Sequence, residues 1–172
     1  MAIRTVLEFL RSRHTPFKTL NHSPAYTAQE VAEAAHIHGQ NLAKVVIVSA
    51  DGQLAMVVLP AHYHVALENL RDAIGAKEIH LASEAEFAGR FPGCELGAIP
   101  PFGNLFGMDV FMDTVFTADE DIAFCAGSHS ELIRMKFSDF VNLVNPIGIT
   151  SGISPAGMSP PISIREHKRF RI

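Results

Sequence analysis

No stretch of this chain stays apolar for the roughly 18 residues that a helix needs to cross a bilayer, so no membrane partner is expected. Residues 1–13 set Arg4, Glu8, Arg11 and Arg13 among apolar positions. That is an amphipathic helix rather than an export signal, which makes the cytoplasm the expected compartment. The two cysteines, Cys94 and Cys125, are then expected as free thiols rather than a disulfide. No Gly-x-Gly-x-x-Gly follows a strand-like run and no phosphate loop ends in Gly-Lys-Ser/Thr, which argues against nucleotide-cofactor chemistry. Ser128 and Ser130 lack the Gly-x-Ser-x-Gly elbow of a serine hydrolase. Cys125 is flanked by apolar residues and Cys94 by Glu95, so neither thiol is favoured as a nucleophile. Cys-x-x-Cys and His-Glu-x-x-His are also missing, and the pairs His36-Ile-His38 and His62-Tyr-His64 fall outside confident strands. No metal is expected.

Positive charge is scarce over most of the length. The net charge is -4, yet residues 147–172 hold Arg165, Lys168, Arg169 and Arg171 against Glu166, a local +3 that leaves -7 on residues 1–146. An acidic body is a poor match for long tracts of phosphate backbone, so any nucleic-acid contact should be local, at a pocket or the tail.

What is present fits one globular domain: 172 residues, 48% hydrophobic and 19% charged. Ile3, Val6, Leu7 and Leu10 recur at helical spacing. Residues 17–20 suit a short strand. Thr27-Ala-Gln-Glu30 has capping-box spacing and predicts a helix over 27–36, stopped by Gly39. Residues 42–49 and 54–59 are nearly continuous apolar runs joined by Asp51-Gly52, a hairpin with both faces covered. Residues 65–74 read as helix and 78–82 as strand. Ser83-Glu-Ala-Glu86 repeats the capping box and predicts a further helix ending before Pro92. Strands are expected over 109–113, 122–126 and 132–137, the last two joined by the turn Gly127-Ser-His-Ser130. Ser138 is expected to cap a last helix over 139–144, with Asn145-Pro146 closing the domain. From residue 147 a tail rich in Gly, Ser and Pro, with a basic end, is expected to be weakly ordered. Helices interleaved with hairpins imply an α/β protein of the α+β type with a mixed sheet.

The stretch most suited to chemistry is Gly97-Ala-Ile-Pro-Pro-Phe-Gly103. Glycines at both ends permit unusual backbone angles and close approach, while Pro100 and Pro101 stiffen the bend. The N–H groups of Gly97, Ala98 and Ile99 would then be free to face a carbonyl or oxyanion; the alternative is a rigid turn. Lys44, within an apolar strand, either snorkels to water or lines a pocket as a point charge for phosphate or carboxylate. His129, in a tight turn, is either solvated or a polar wall beside a reacting ester. Asp109 and Asp113 flank an apolar strand and do not form a convincing acid–base pair.

Several pieces occur in one order: Asn21-His-Ser-Pro24, the Thr27 helix, Lys44 opening a strand, Gly97-Ala-Ile-Pro-Pro101 with Phe102-Gly103, and Ala126-Gly-Ser-His129 before Leu132-Ile-Arg-Met135. Over about residues 3–146 this resembles the YbaK family, free-standing relatives of the editing domain of bacterial prolyl-tRNA synthetases. The resemblance implies a largely antiparallel, barrel-like mixed sheet wrapped by helices, with a YbaK-like domain over 1–146. It implies a deacylase that hydrolyses mischarged aminoacyl-tRNA in trans, without cofactor or side-chain nucleophile, a ribose hydroxyl helping to position water. By the same resemblance, Lys44 places the tRNA 3′ end, the amides of Gly97, Ala98 and Ile99 bind the aminoacyl carbonyl, and His129 lines the amino-acid pocket. His22, Tyr26, Pro100, Pro101, Phe102, Gly103, Gly127 and Ser128 are implied as substrate-binding. The implied partners are the 3′ end of aminoacyl-tRNA and, secondarily, an aminoacyl-tRNA synthetase. Alanine-editing relatives tend to carry Asn after the lysine, where this chain has Val45, so the sequence assigns no amino acid. The rival expectation is a non-catalytic module that binds an aminoacyl-adenosine or related small ligand.

Overall fold

The computed structural model describes residues 2–25, 28–38, 41–116, 120–149, 153–155 and 168–169. Tyr26, the Thr27 cap, the Gly39 stop, Arg165 and Arg171 lie outside them.

Helix α1 (Ala2–Ser12) leads into β1 (Phe17–Asn21), α2 (Ala28–Ala34) and the hairpin β2 (Leu42–Ala50) and β3 (Gln53–Pro60). Asp51 and Gly52 both take positive φ at its turn, as a tight hairpin requires. Next come β4 (Tyr63–Val65), α3 (Leu67–Ile74) and β5 (Ile79–Leu81). After a long loop follow β6 (Asp109–Asp113), β7 (Asp121–Ser128), β8 (Glu131–Lys136), α4 (Phe137–Val144), β9 (Ile147–Ile149), β10 (Ile153–Pro155) and β11 (Lys168–Arg169).

One nine-stranded sheet runs in the order β1-β8-β7-β2-β3-β6-β9-β11, with β5 also on β2; β4 and β10 pair separately. The contacts β2–β7, β3–β6 and β6–β9 are parallel and the rest antiparallel, which is the mixed sheet expected.

Strand alternation sorts β2 and β3 between two layers. Ala43, Ile47, Met56 and Val58 join Val6 and Leu10 of α1 and Phe137, Phe140, Val141 and Val144 of α4 in one core. Leu42 packs with Val31 and Ala32 of α2, and Val48, Ala55, Val57 and Leu59 pack with Leu70 of α3. Lys44 falls between Leu42 and Val46, on the α2/α3 side.

Five expectations need correction. The second capping box forms, with the Ser83 N–H and Oγ both donating to Glu86 Oε2 at 2.8 and 2.9 Å, yet no helix follows it. Gly89 turns at φ +74, and Phe87 and Phe91 pack edge-to-face with centroids 6.0 Å apart; aromatic burial overrides the local start signal. Residue 65 belongs to β4, so α3 begins two residues later than its apolar spacing suggested. Helix α4 starts at Phe137, with no side-chain cap at its start, because Phe137 is itself buried in the core. The turn expected over 127–130 shrinks to His129-Ser130, since β7 runs through Ser128 with an irregularity between Cys125 and Ser128. The sheet also continues past Pro146: β9 pairs with β6, and Lys168–Arg169 pairs with β9.

Candidate functional site

Two loops meet at the β7–β8 turn, and backbone groups do most of the joining. The Glu95 N–H donates to Gly127 O at 2.8 Å, the His22 N–H to Ser130 O at 3.0 Å, and the Ala25 N–H to His129 O at 3.2 Å. The Glu95 carboxylate accepts the His129 N–H at 2.8 Å. The His129 ring returns the contact, its Nε2 lying 2.6 Å from Leu96 O. A carbonyl can only accept, so Nε2 carries the proton there. Gly127, at φ +109, occupies the irregular end of β7, where such a bulge re-aims the chain.

Gly97 lies against the same ring. Its φ is +81, which favours glycine, and a Cβ there would stand 3.3 Å from His129 Cε1, pressing on the ring. The amides expected to be free divide. Ala98 donates to Glu95 O at 3.0 Å, closing a turn, which corrects its expected freedom. Among the described residues, the amides of Gly97 and Ile99 have no partner.

The second half of the loop turns inward. Ala98, Ile99 and Phe102 are buried hydrophobics, and Pro100, Pro101 and Gly103 are buried as well. The Phe102 ring packs edge-on against Phe9, Phe124 and Phe140 at centroid distances of 6.1, 5.4 and 5.5 Å. A Cβ on Gly103 would lie 2.5 Å from Val110 Cγ2 and 2.9 Å from Met108 O. These side chains hold the loop from beneath.

Lys44 lies on β2, paired with Leu59 of β3, on the strand that neighbours β7. The parallel register pairs Leu42 with Ala123 and Ala43 with Phe124, so one step further Lys44 is level with Cys125. Burial pushes the Cys125 thiol up, and the charge of Glu95 adds to that push. Lys44 is half-buried, and desolvation holds its ammonium below the usual lysine range. Less water around a cation strengthens its pull on an anion.

His22 completes the group. Its Nδ1 lies 2.7 Å from Ser23 O and therefore carries a proton, while its buried Nε2 has no partner among the described residues. Ser128 is half-buried at the end of β7, with its Oγ 3.5 Å from Ser130 Oγ.

Thus His22, Gly97, Gly127, Ser128 and His129 come together, Lys44 stands on the neighbouring strand β2 one residue past its last register pair with β7, and residues 98–103 are buried beneath the loop. Glu95 was missed. Its position beside the loop is visible in the sequence, but nothing there shows a carboxylate reaching a turn 34 residues away.

Other chemistries find little footing. Burial pushes both thiols up to about 11, so neither supplies a thiolate near neutral pH. Asp113 is pushed up to about 6 by burial, but one of its oxygens accepts the Val115 N–H at 2.8 Å and it is remote in sequence from the loops that meet at the turn. Among the described residues, no helix is long and apolar enough to cross a membrane.

A family model described as "Aminoacyl-tRNA editing domain" matches residues 22–143. No curated protein matches the chain. A solved structure of a hypothetical protein superposes with a TM-score of 0.75 at 18% identity, covering 87% of this chain and 99% of that one. Another, described as a "putative trans-editing enzyme for prolyl tRNA synthetase", has a TM-score of 0.73 at 17% identity, covering 86% of this chain and 94% of its own. At such identities the two structures establish a shared fold.

Proposed function

The chain belongs to the aminoacyl-tRNA editing domain family, and from that premise we propose that it hydrolyses, in trans, the ester linking a wrong amino acid to the terminal adenosine of tRNA. The observation that carries this reading is the pair of unpartnered amides, at Gly97 and Ile99, in a loop clamped to the β7–β8 turn.

Ester hydrolysis adds water to the acyl carbon and builds negative charge on the carbonyl oxygen. Amides already fixed in place stabilise that charge without reorganising. An aminoacyl ester is activated at the outset, so positioning and oxyanion stabilisation suffice without a side-chain nucleophile. The ribose hydroxyl next to the ester orients the water, and the alcohol released is the other ribose oxygen. Lys44 holds a phosphate of the tRNA 3′ end as a point charge. His22 acts as a positioning residue, its Nδ1–H donating to Ser23 O and its N–H to Ser130 O. His129 acts as a positioning residue, because its Nε2–H is committed to Leu96 O.

Selection among amino acids then rests on pocket size, worth only about 1–3 kcal/mol per methylene. The test is a panel of mischarged tRNAs. The wild-type protein should deacylate at least one, and Lys44→Ala should abolish that turnover with little change in melting temperature. Failure of the wild type across the panel would overturn the reading.

A further inference from the structure

Beyond the loop cluster, a cavity of about 730 Å3 opens where α2 ends and β3 leaves the sheet, lined by Glu33, His36, His38 and His62 above Ala32 and Ala61. Its size lies within the roughly 300–1,000 Å3 of small-ligand sites. The floor is continuous with the site already described. Ala32 and Ala61 are buried and pack with Leu42, and the Ala61 N–H donates to Leu42 O at 2.8 Å. Leu42 precedes Lys44 by two residues on the same strand face, about 7 Å away.

Three imidazoles line this cavity. His36 and His38 are exposed and His62 is half-buried. His36 takes φ +53, uncommon outside glycine, in a turn tied by the His36 N–H to Glu33 O and the Ile37 N–H to Ala32 O. The His62 ring meets Tyr63 edge-on at 4.5 Å. Among the described residues, no three His, Cys, Asp or Glu side chains converge to hold a metal ion. The rings are therefore separate flat faces rather than one coordination point.

Flat faces and one carboxylate suit an unpaired base. Histidine rings stack on splayed-out RNA bases, and a carboxylate accepts a hydrogen bond from an exocyclic amine. The acidic body disfavours extensive phosphate contact, which leaves recognition to the bases. Resting on the deacylase reading of the Lys44 site, we infer that this cavity takes the nucleotide preceding the terminal adenosine of tRNA, its base stacked on imidazole and its amine on Glu33.

Binding of labelled RNA tetranucleotides ACCA and ACUA, which differ only at the nucleotide before the terminal adenosine, to the full chain, read by fluorescence anisotropy, tests this without requiring turnover. Wild type should prefer ACCA about tenfold, since uracil has no exocyclic amine. The combined variant His36→Asn, His38→Ala and His62→Ala should lose at least tenfold in ACCA affinity, Asn being chosen to tolerate the positive φ. Glu33→Ala, which removes the acceptor, should erase the preference while ACUA binding persists. His62→Phe, which keeps a flat ring, should bind ACCA better than His62→Ala, and thermal melts of each variant confirm folding. Equal affinity of wild type and the combined variant, or no preference for ACCA, overturns the inference. Histidine-dependent ACCA binding without ester hydrolysis would instead overturn the deacylase reading and leave this one standing.

Discussion

The loop over 94–103 has two halves that obey different rules. Its first half, Glu95 to Gly97, is joined to the β7–β8 turn by hydrogen bonds and retains an unpartnered amide. Its second half is sunk among phenylalanines, with Phe102 fully buried. The first half can present chemistry because the second half cannot move. A free amide in a loose loop would reorganise around each substrate and lose much of its value to an oxyanion. The packed half thus supplies rigidity and the Ile99 amide, and the polar half supplies the Gly97 amide and the joints to the turn.

The largest effect should come from breaking the packed half. Phe102→Ala removes a ring that meets three others and should cost about 3–5 kcal/mol of stability, measured by denaturant unfolding. Activity should fall with it, even though Phe102 has no surface with which to touch a substrate. Retained activity in a folded Phe102→Ala protein would break the claimed dependence of one half on the other.

Gly97→Ala attacks the polar half instead. The added Cβ meets both the left-handed backbone and the His129 ring at 3.3 Å, a cost of about 1–2 kcal/mol from the backbone angle. Stability should drop by roughly that amount while kcat/KM for ester hydrolysis drops at least tenfold. The comparison sharpens if the two variants separate in this way, one losing mainly stability and the other mainly rate. It fails if Gly97→Ala leaves the rate unchanged.

The same division explains what could be read from the sequence. Strands β2, β3 and β6 were legible because period and turn chemistry agree there: two apolar runs around Asp51-Gly52, and a third bounded by aspartates. The Ser83 box misled because a capping box specifies only a start. Here Gly89, Pro92 and Gly93 follow too soon for a helix to grow, and Phe91 has a place in the core. Gly97 and His129 were legible as unusual residues, glycine before a proline pair and histidine in a turn. Their contact was not, because it depends on how far β7 runs before the chain reverses. The engaged amide of Ala98 was hidden for a similar reason: its acceptor is the carbonyl of Glu95, and backbone acceptors leave no mark in a sequence.

The smallest effect, and the sharpest test of how the polar half is held, lies at Glu95. Its carboxylate accepts the His129 N–H at 2.8 Å, but its own N–H also donates to Gly127 O and the His129 ring donates to Leu96 O, so the side chain is one clamp of three. Glu95→Gln keeps an acceptor and removes the charge, converting a charge-assisted hydrogen bond to a neutral one. The expected loss is below about 1 kcal/mol, with modestly faster hydrogen exchange at the His129 amide. Glu95→Ala removes the acceptor altogether and should speed that exchange much further, with kcat falling more than KM changes. If Gln and Ala behaved alike, the charge rather than the hydrogen bond would hold the turn. If neither moved the exchange rate, the Glu95–Gly127 backbone pair and the His129–Leu96 contact would suffice to hold the turn.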